Sequence, residues 1–303
     1  MEIKLLKTFL AVAKNSGFSR AAEKTGFVQS SISTQIRLLE EELGVHLFER
    51  LGRKTHLTAE GKRLLSYAEK IVDLESEARE VVSGAQKPSG TLRIGACETL
   101  CISYLPPILQ AYRMRYPDVE LTLRLTTSTE LCEWVAENEI DIAFLIDRPV
   151  ASEMLSAETL FDEPVALLAS PESERIGEKP LCPKDLNGVD LVLTESGSYR
   201  SVFEDILADE DVRPGSVIDS ESIEAIKKLV VSGLGITLLP RVVAQDELRS
   251  GQLIELRWSG PDIGVTSQIV HHKHKWLSPA LLALIDMARG LAAQATTASQ
   301  ERE

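Results

Sequence analysis

The chain has 303 residues, 44% of them hydrophobic, four cysteines and a formal net charge of −13. That length suits about two or three domains with real cores, and no run of about 18 apolar residues is present to form a membrane span. The cysteines (Cys97, Cys101, Cys132, Cys182) are sparse and irregularly spaced, which fits reduced thiols better than a disulfide framework.

The charge is unevenly distributed. Residues 1–65 carry 11 Lys/Arg and 7 Asp/Glu, a net of +4, whereas residues 66–303 carry 22 and 39, a net of −17. A basic head on an acidic body is expected when only the head meets phosphate. The first residues enter a helical pattern directly, without a basic stretch, apolar core and cleavage site, so a cytoplasmic location is expected.

Leu5, Leu6, Phe9, Leu10 and Val12 recur at helical spacing and predict a first helix over residues 3–14. Ser19 is a candidate N-cap for a second helix with Ala21 and Ala22 inside. After a turn at Gly26, a third helix is predicted over residues 29–43, stopped by Gly44. Its inner face carries Ile32, Ile36 and Leu39; its outer face carries Ser30, Ser33, Thr34 and Arg37. Two helices packed steeply across a short glycine turn form a helix-turn-helix. The second helix of such a unit fits the major groove of double-stranded DNA.

Gln29, Ser30, Ser31 and Ser33 open that helix. Gln forms paired bonds to adenine, and Ser donates to or accepts from several base edges. Arg37 lies about two turns further and suits a phosphate. Residues 45–50 and 55–58 read as two extended pieces around a basic tip. Arg50, Arg53 and Lys54 on or beside this wing suit a narrow minor groove.

Thr58 is a candidate N-cap for a long helix, although Gly61 stands where a capping box needs Glu or Gln. Leu64, Tyr67, Ile71, Leu74, Ala78 and Val81 then alternate at spacings of three and four. The stripe favours a two-stranded coiled coil over packing on its own domain, because residues 83–90 follow as a hinge.

From Thr91 the pattern alternates strand and helix. Strands are predicted at 91–95, 119–125 and 140–146, with helices at 104–116 and 129–138. A second set covers a strand at 164–170, a strand at 190–194, helices at 199–208 and 222–232, and a strand at 235–239. A strand at 266–271 and an amphipathic helix at 279–292 follow. Such alternation implies parallel βαβ units. In open parallel sheets, ligands sit at the carboxyl ends of strands beside helix N-termini.

Four hydroxyl-rich segments fall at such ends: 97–100, 126–129, 195–199 and 220–222. Their candidate ligand residues are Glu98, Thr99, Leu100, Thr127, Ser128, Ser196, Ser198, Tyr199, Glu221 and Ser222. Ordinary helix capping by Ser and Thr is the competing reading for each. Together they point to a small polar effector. Helix N-termini favour anions, yet Glu98, Glu195 and Glu221 sit in or beside these loops. An amino-acid-like or otherwise zwitterionic effector is therefore one expectation.

No catalytic set emerges, and neither an enzyme nor a cofactor is expected. Ser196 lacks the Gly-x-Ser-x-Gly setting of a nucleophile elbow. Of His271, His272 and His274, only the last two share a strand face, and no Cys or carboxylate completes a metal site. Two other readings stay open: a ligand-binding protein with a vestigial head, and an α/β enzyme without a recognisable nucleophile, metal set or phosphate loop.

Residues 19–22 with 29–33, residues 38–50 and residues 57–61 resemble the LysR-type transcriptional regulators. Leu92-Arg93-Ile94-Gly95, residues 139–143 and residues 230–240 resemble that family's effector domain, so the likeness spans essentially the full length. The resemblance implies an α-helical winged helix-turn-helix head over 1–58 and a dimerising linker helix and hinge over 59–90. It also implies a two-lobed, periplasmic-binding-protein-like α/β domain over 91–292. Lobe I would take 91–161 and 267–292, and lobe II 162–266, leaving 293–303 as a disordered tail. Implied partners are double-stranded DNA, a small-molecule effector and further copies in a dimer of dimers, with RNA polymerase a candidate. Thr34 stands where many relatives carry Arg. Peroxide-sensing relatives place a cysteine pair in the second lobe, where this chain has Cys182 alone.

Overall fold

The computed structural model describes all residues except 16, 52–53, 84–86, 174–178 and 301–303, and omits the side chains of 50, 51, 54, 77, 80, 81, 83 and 291–300. The chain divides into two units, Met1–Gln86 and Lys87–Glu303.

The first unit opens with α1 (Ile3–Lys14), α2 (Phe18–Thr25) and α3 (Gln29–Leu43). Gly26 and Gly44 end α2 and α3 in the left-handed region, with φ of 72° and 70°, where a side chain is disfavoured. The N-cap of α2 is Gly17, not Ser19, because the helix already begins at Phe18. Ser19 instead donates to Gln29 Oε1 at 3.1 Å, tying the two helices across the turn.

Leu6, Phe9, Val12, Ala21, Ile32, Ile36, Leu39 and Leu47 are buried together. Each large member contributes about 2 kcal/mol through burial. Phe48 stacks against Phe9 and Phe18 with ring centroids 5.3 and 5.6 Å away. It begins a wing made of β1 (Phe48–Leu51) and β2 (Lys54–Leu57), paired antiparallel. Glu40 of α3 fixes that wing, accepting from Leu47 N at 2.6 Å and Phe48 N at 3.3 Å.

The long helix α4 (Ala59–Ser83) is capped by Thr58, whose hydroxyl accepts from Gly61 N at 2.9 Å. A Cβ on Gly61 would lie 2.2 Å from the Leu47 carbonyl oxygen, so no Glu or Gln fits there. The heptad stripe does not face one partner, as the spacing predicted. Leu64 and Ile71, with Ala68, Leu65 and Val72, pack into the core of their own unit. The cause is α1, which lies along α4 and adds the Lys7–Glu75 pair at 2.8 Å. Tyr67, Leu74 and Val82 stay 66%, 63% and 87% exposed. The Val81 side chain lies outside the described residues.

The second unit runs β3 (Gly90–Ala96), α5 (Glu98–Ser103), α6 (Leu105–Arg115), β4 (Val119–Leu125), α7 (Ser128–Ala136), β5 (Ile142–Asp147) and β6 (Leu155–Asp162). It continues through β7 (Val165–Ala169), β8 (Leu191–Thr194), α8 (Ser198–Asp209), β9 (Val217–Ser220), α9 (Ile223–Val231), β10 (Thr237–Pro240), α10 (Gln245–Ser250), β11 (Ile254–Leu256), β12 (Thr266–His272) and α11 (Pro279–Gln300). One sheet has the order β4-β3-β5-β12-β6. The other joins β9-β8 to β10-β7-β11 through a bridge between Leu191 and Ile236.

Parallel pairing holds for β3 with β4 and β5, and for β8 with β9. The isolated bridges Leu191–Ile236 and Leu181–Trp258 are parallel as well, but four strand pairs are antiparallel, against expectation: β12 with β5 and β6, and β7 with β10 and β11. Parallel neighbours need a long crossover, usually a helix. The chain passes between the sheets at 163–164 and 257–265 with none.

The tail departs from expectation too. The backbone stays helical to Gln300, where disorder was expected from 293. Ala292, Ala293, Ala295 and Ala298 give it high helix propensity.

A buried ion network ties the inner strand β3 to the start of β5. Asp141, 7% exposed, accepts from Arg93 N at 2.6 Å and from the Arg93 guanidinium at 2.9 Å, and pairs with Lys275 at 2.8 Å. Burial alone would raise its carboxyl, but the Arg93 and Lys275 bonds and charges hold it below the ordinary range. A depressed carboxylate adds stability above its unfolded pKa of about 4 and loses it as pH falls through the folded value. Asp141→Asn should therefore destabilise this unit by about 3 kcal/mol at neutral pH and flatten its stability profile in acid. All three tryptophans (Trp134, Trp258, Trp276) lie in this unit, so urea unfolding followed by tryptophan fluorescence reads it directly.

Candidate functional site

Two regions gather the residues that the sequence singled out. On α3, Gln29, Ser30, Thr34 and Arg37 are exposed, and Ser33 is half-buried beside them. The helix holds them outward because Ile32, Ile36 and Leu39 anchor its other face. Ser31 belongs elsewhere: its hydroxyl accepts from Gln35 Nε2 at 3.3 Å, and Gln35 is bonded in turn by Thr8 of α1. These bonds help to fix α3 on α1, and Ser31 is half-buried between the two faces. Arg37 pairs with Glu41 one turn on, at 3.4 Å and well exposed. Arg53 lies outside the described residues, and Arg50 and Lys54 are described as backbone only.

The second region is a cavity of about 420 Å³ between the two sheets of the second unit. One wall comes from Cys97, Glu98, Thr99, Leu125, Thr126, Thr127, Ser128 and Ile146, at the ends of β3, β4 and β5. The other comes from Thr194 to Tyr199, Glu221 and Ile223, at the ends of β8 and β9. All four hydroxyl-rich segments thus meet at one place. Leu100 and Ser222 do not reach it. Leu100 turns into the core at 2% exposure, and the Ser222 hydroxyl caps α9 by accepting from Ala225 N at 3.4 Å. The candidate residues omitted Cys97, Thr126, Glu195 and Gly197 within the four segments, and Leu125, Ile146, Thr194 and Ile223 outside them. Their places at strand ends and a helix start were the available signal.

The walls differ in how their helix starts are capped. Thr127 accepts from Glu130 N at 3.4 Å, and Ser128 donates to Ile146 O at 3.0 Å. Gly197 begins α8 and has no side chain to cap it. Arg200 braces the loop before α8, bonding the Thr194 and Glu195 carbonyls and pairing with Asp219 and Glu204. Glu98 reaches across the cavity and accepts from Ile223 N at 3.2 Å. Burial, together with the charge of Glu224, raises its carboxyl above the ordinary range. Tyr199 is pushed up to about 12, chiefly by burial.

The thiols are poor nucleophiles here. Burial pushes Cys97 up to about 11 and raises Cys101 as well. Thiolates carry cysteine redox chemistry, so neither is poised for it at neutral pH. His272 and His274 contact each other with ring centroids 5.9 Å apart. No group of three or more metal-ligating side chains occurs among the described residues.

Comparison with known proteins identifies the domains that carry these two regions. Residues 3–62 match the bacterial regulatory helix-turn-helix protein, lysR family, and residues 85–293 match the LysR substrate binding domain. An uncharacterised HTH-type transcriptional regulator of Bacillus subtilis (strain 168), YwqM, is 38% identical over 291 residues, covering 95% of this chain and 99% of that one. The HTH-type transcriptional regulator GltR of the same organism is 32% identical over 290 residues, covering 95% and 96%. Among solved structures, a full-length OxyR variant from Pseudomonas aeruginosa aligns with a TM-score of 0.72 and 25% identity, covering 95% of each chain. Full-length CbnR complexed with its target DNA aligns with a TM-score of 0.66 and 24% identity, covering 95% of this chain and 99% of that one, a likeness of fold. With both family models matched in order and close relatives aligned along nearly the whole length, the chain belongs to the LysR family of transcriptional regulators, with a helix-turn-helix DNA-binding domain followed by a substrate-binding domain.

Proposed function

We propose that the protein reads a dyad operator through α3 and answers to a small polar effector held in the interlobe cavity. The carrying observation is the exposed ridge of Gln29, Ser30, Thr34 and Arg37 on a unit whose first 65 residues carry net charge +4. Small amide and hydroxyl groups near the helix start read base edges, while Arg37 and the wing residues Arg50, Arg53 and Lys54 hold phosphates.

Copies associate first through α4. Its apolar side chains Tyr67, Leu74 and Val82 have no cover within the first unit, and a second α4 supplies it. Two such dimers form the assembly expected of the family, and an effector that binds one arrangement of lobes better than another shifts the spacing of the recognition helices. The protein works in the cytoplasm, with RNA polymerase as its downstream partner. No helix among the described residues is long and apolar enough to cross a membrane, in keeping with that place.

Gln29→Ala and Thr34→Ala should each weaken specific binding to the protein's own upstream intergenic DNA by roughly tenfold and relax base preference. Arg37→Ala and Arg53→Ala should weaken binding to all sequences alike and lower the salt slope by about 1. Fluorescence anisotropy across a salt series separates the two classes, and operator affinity unchanged in all four variants would rule out this docking.

Leu74→Glu should halve the particle mass in light scattering while leaving the far-UV circular dichroism and its thermal transitions as in the parent. An unchanged mass would remove α4 from the interface.

A further inference from the structure

The cavity has a one-sided charge. Glu98, Glu195 and Glu221 are in its wall, and none of its lining residues is Lys, Arg or His. Arg200 does not correct this, since its guanidinium is bound to Glu204, Asp219 and two carbonyls. A second observation is independent of the carboxylates. Thr194 lines the cavity and is only 7% exposed, and its buried hydroxyl has no well-formed hydrogen bond among the described residues. The Tyr199 hydroxyl is near enough to interact with it but lies outside hydrogen-bond geometry. A buried hydroxyl left so is costly, and a bound polar molecule would relieve it.

The positive features of the cavity are partly in use. The start of α9 is served by Glu98 and Ser222, and that of α7 by Thr127. The start of α8, a helix of 12 residues, has no capping side chain. Ser196 and Ser198 stand beside it in the same wall. An anion thus finds one open helix start and three carboxylates, whereas a cation finds three carboxylates and no competitor.

We propose that the ligand of this cavity carries a protonated amine, received between Glu98 of one lobe and Glu221 of the other. The inference rests on the cavity being the effector site. An α-amino acid matches the rest of the chemistry, with its carboxylate at the open start of α8. Glu98 also links binding to lobe closure, because the same carboxylate holds Ile223 N across the cleft.

A pH dependence follows. Glu98 is faced by Glu224 from α9, by Tyr199 from α8 and by Cys101 on its own helix. Tyr199 and Cys101 stay protonated through the neutral range. Burial raises Glu98, and an ammonium beside it lowers it again. Amine binding therefore releases a proton and tightens as pH rises through the Glu98 range, by at most about tenfold per pH unit. A simple carboxylate would show the opposite slope.

Matched triads test this on the full-length protein. L-Norvaline, valerate and pentylamine share one carbon chain, and further triads extend the side chain from methyl to aromatic. Calorimetry across pH, with Glu98→Gln, Glu221→Gln and the cavity-filling Ser196→Trp, reads each arm. Gln at 98 still accepts from Ile223 N, so the fold is kept while the charge is removed. The expected result is binding by amine-bearing members only, tightening with pH and weakened about tenfold or more by either Gln substitution. Binding confined to the carboxylates and abolished by Ser196→Trp would overturn the amine while keeping the cavity. Binding indifferent to Ser196→Trp would displace the site itself, and the inference with it. Failure of every amine-bearing member at millimolar concentration would also overturn it.

Discussion

The second unit depends on how its chain crosses between the two sheets. Neither crossing contains a helix, and they are tied to each other: Glu163 N donates to Val265 O at 3.0 Å, and Ser267 donates to Glu163 Oε2 at 2.8 Å. These two crossings are the covalent connections between the lobes, and the hydrogen bonds join them into one hinge. They also set the strand directions, because a chain that crosses without a helix must return antiparallel. Burial pushes the Glu163 carboxyl up to about 7, and its second oxygen has no hydrogen-bond partner among the described residues. A carboxyl that is partly protonated near neutrality is a cheaper thing to bury than a full charge. The cavity follows from this arrangement, since the carboxyl ends of β3, β4 and β5 meet those of β8 and β9 across the hinge.

The first unit faces a different constraint, that of one helix serving two surfaces. Along α4, Leu64, Ala68 and Ile71 close the core over α1, while Tyr67, Leu74 and Val82 point away from it. A period of 3.5 and a period of 3.6 diverge by only about 20° per heptad, so neighbouring stripes can be apolar without being continuous. The same economy governs α3. Ile32, Ile36 and Leu39 fix its position, Ser31 and Gln35 lock it to α1, and only the remaining side chains are free to face a groove.

Much of this was legible in the residues. Helices α1 and α3 and strand β4 begin and end where the pattern placed them, because glycines, capping positions and strict periodicity all act locally. Strands β6, β9 and β11 were not read, and the antiparallel pairing of β12 was missed, because partner and direction are set by the crossings and not by any local window. The stripe on α4 misled for a related reason: spacing reports that a face is apolar, not which surface covers it. The cavity was legible as four segments, since strand ends followed by helix starts are recognisable in sequence. The exact wall was less so. Whether Leu100 or Thr99 faces the cleft turns on the orientation of a helix six residues long, and whether Ser222 is a ligand group or a cap turns on a single bond.

That distinction bears on how binding could be felt at a distance. The Thr127 hydroxyl is engaged in holding a helix start, so a ligand meets it without changing its partner. Glu98 differs, because its bond to Ile223 N joins the two lobes and not a helix to itself. A ligand that only fills space leaves this bond as it was and gains equally from any lobe angle that admits it. A ligand that changes the charge or hydration of Glu98 alters the strength of an interlobe contact, and so binds two lobe angles with different affinity. Only such a difference can shift a conformational equilibrium. The hinge joins the lobes, and the cleft carboxylate is therefore where ligand chemistry can act between them.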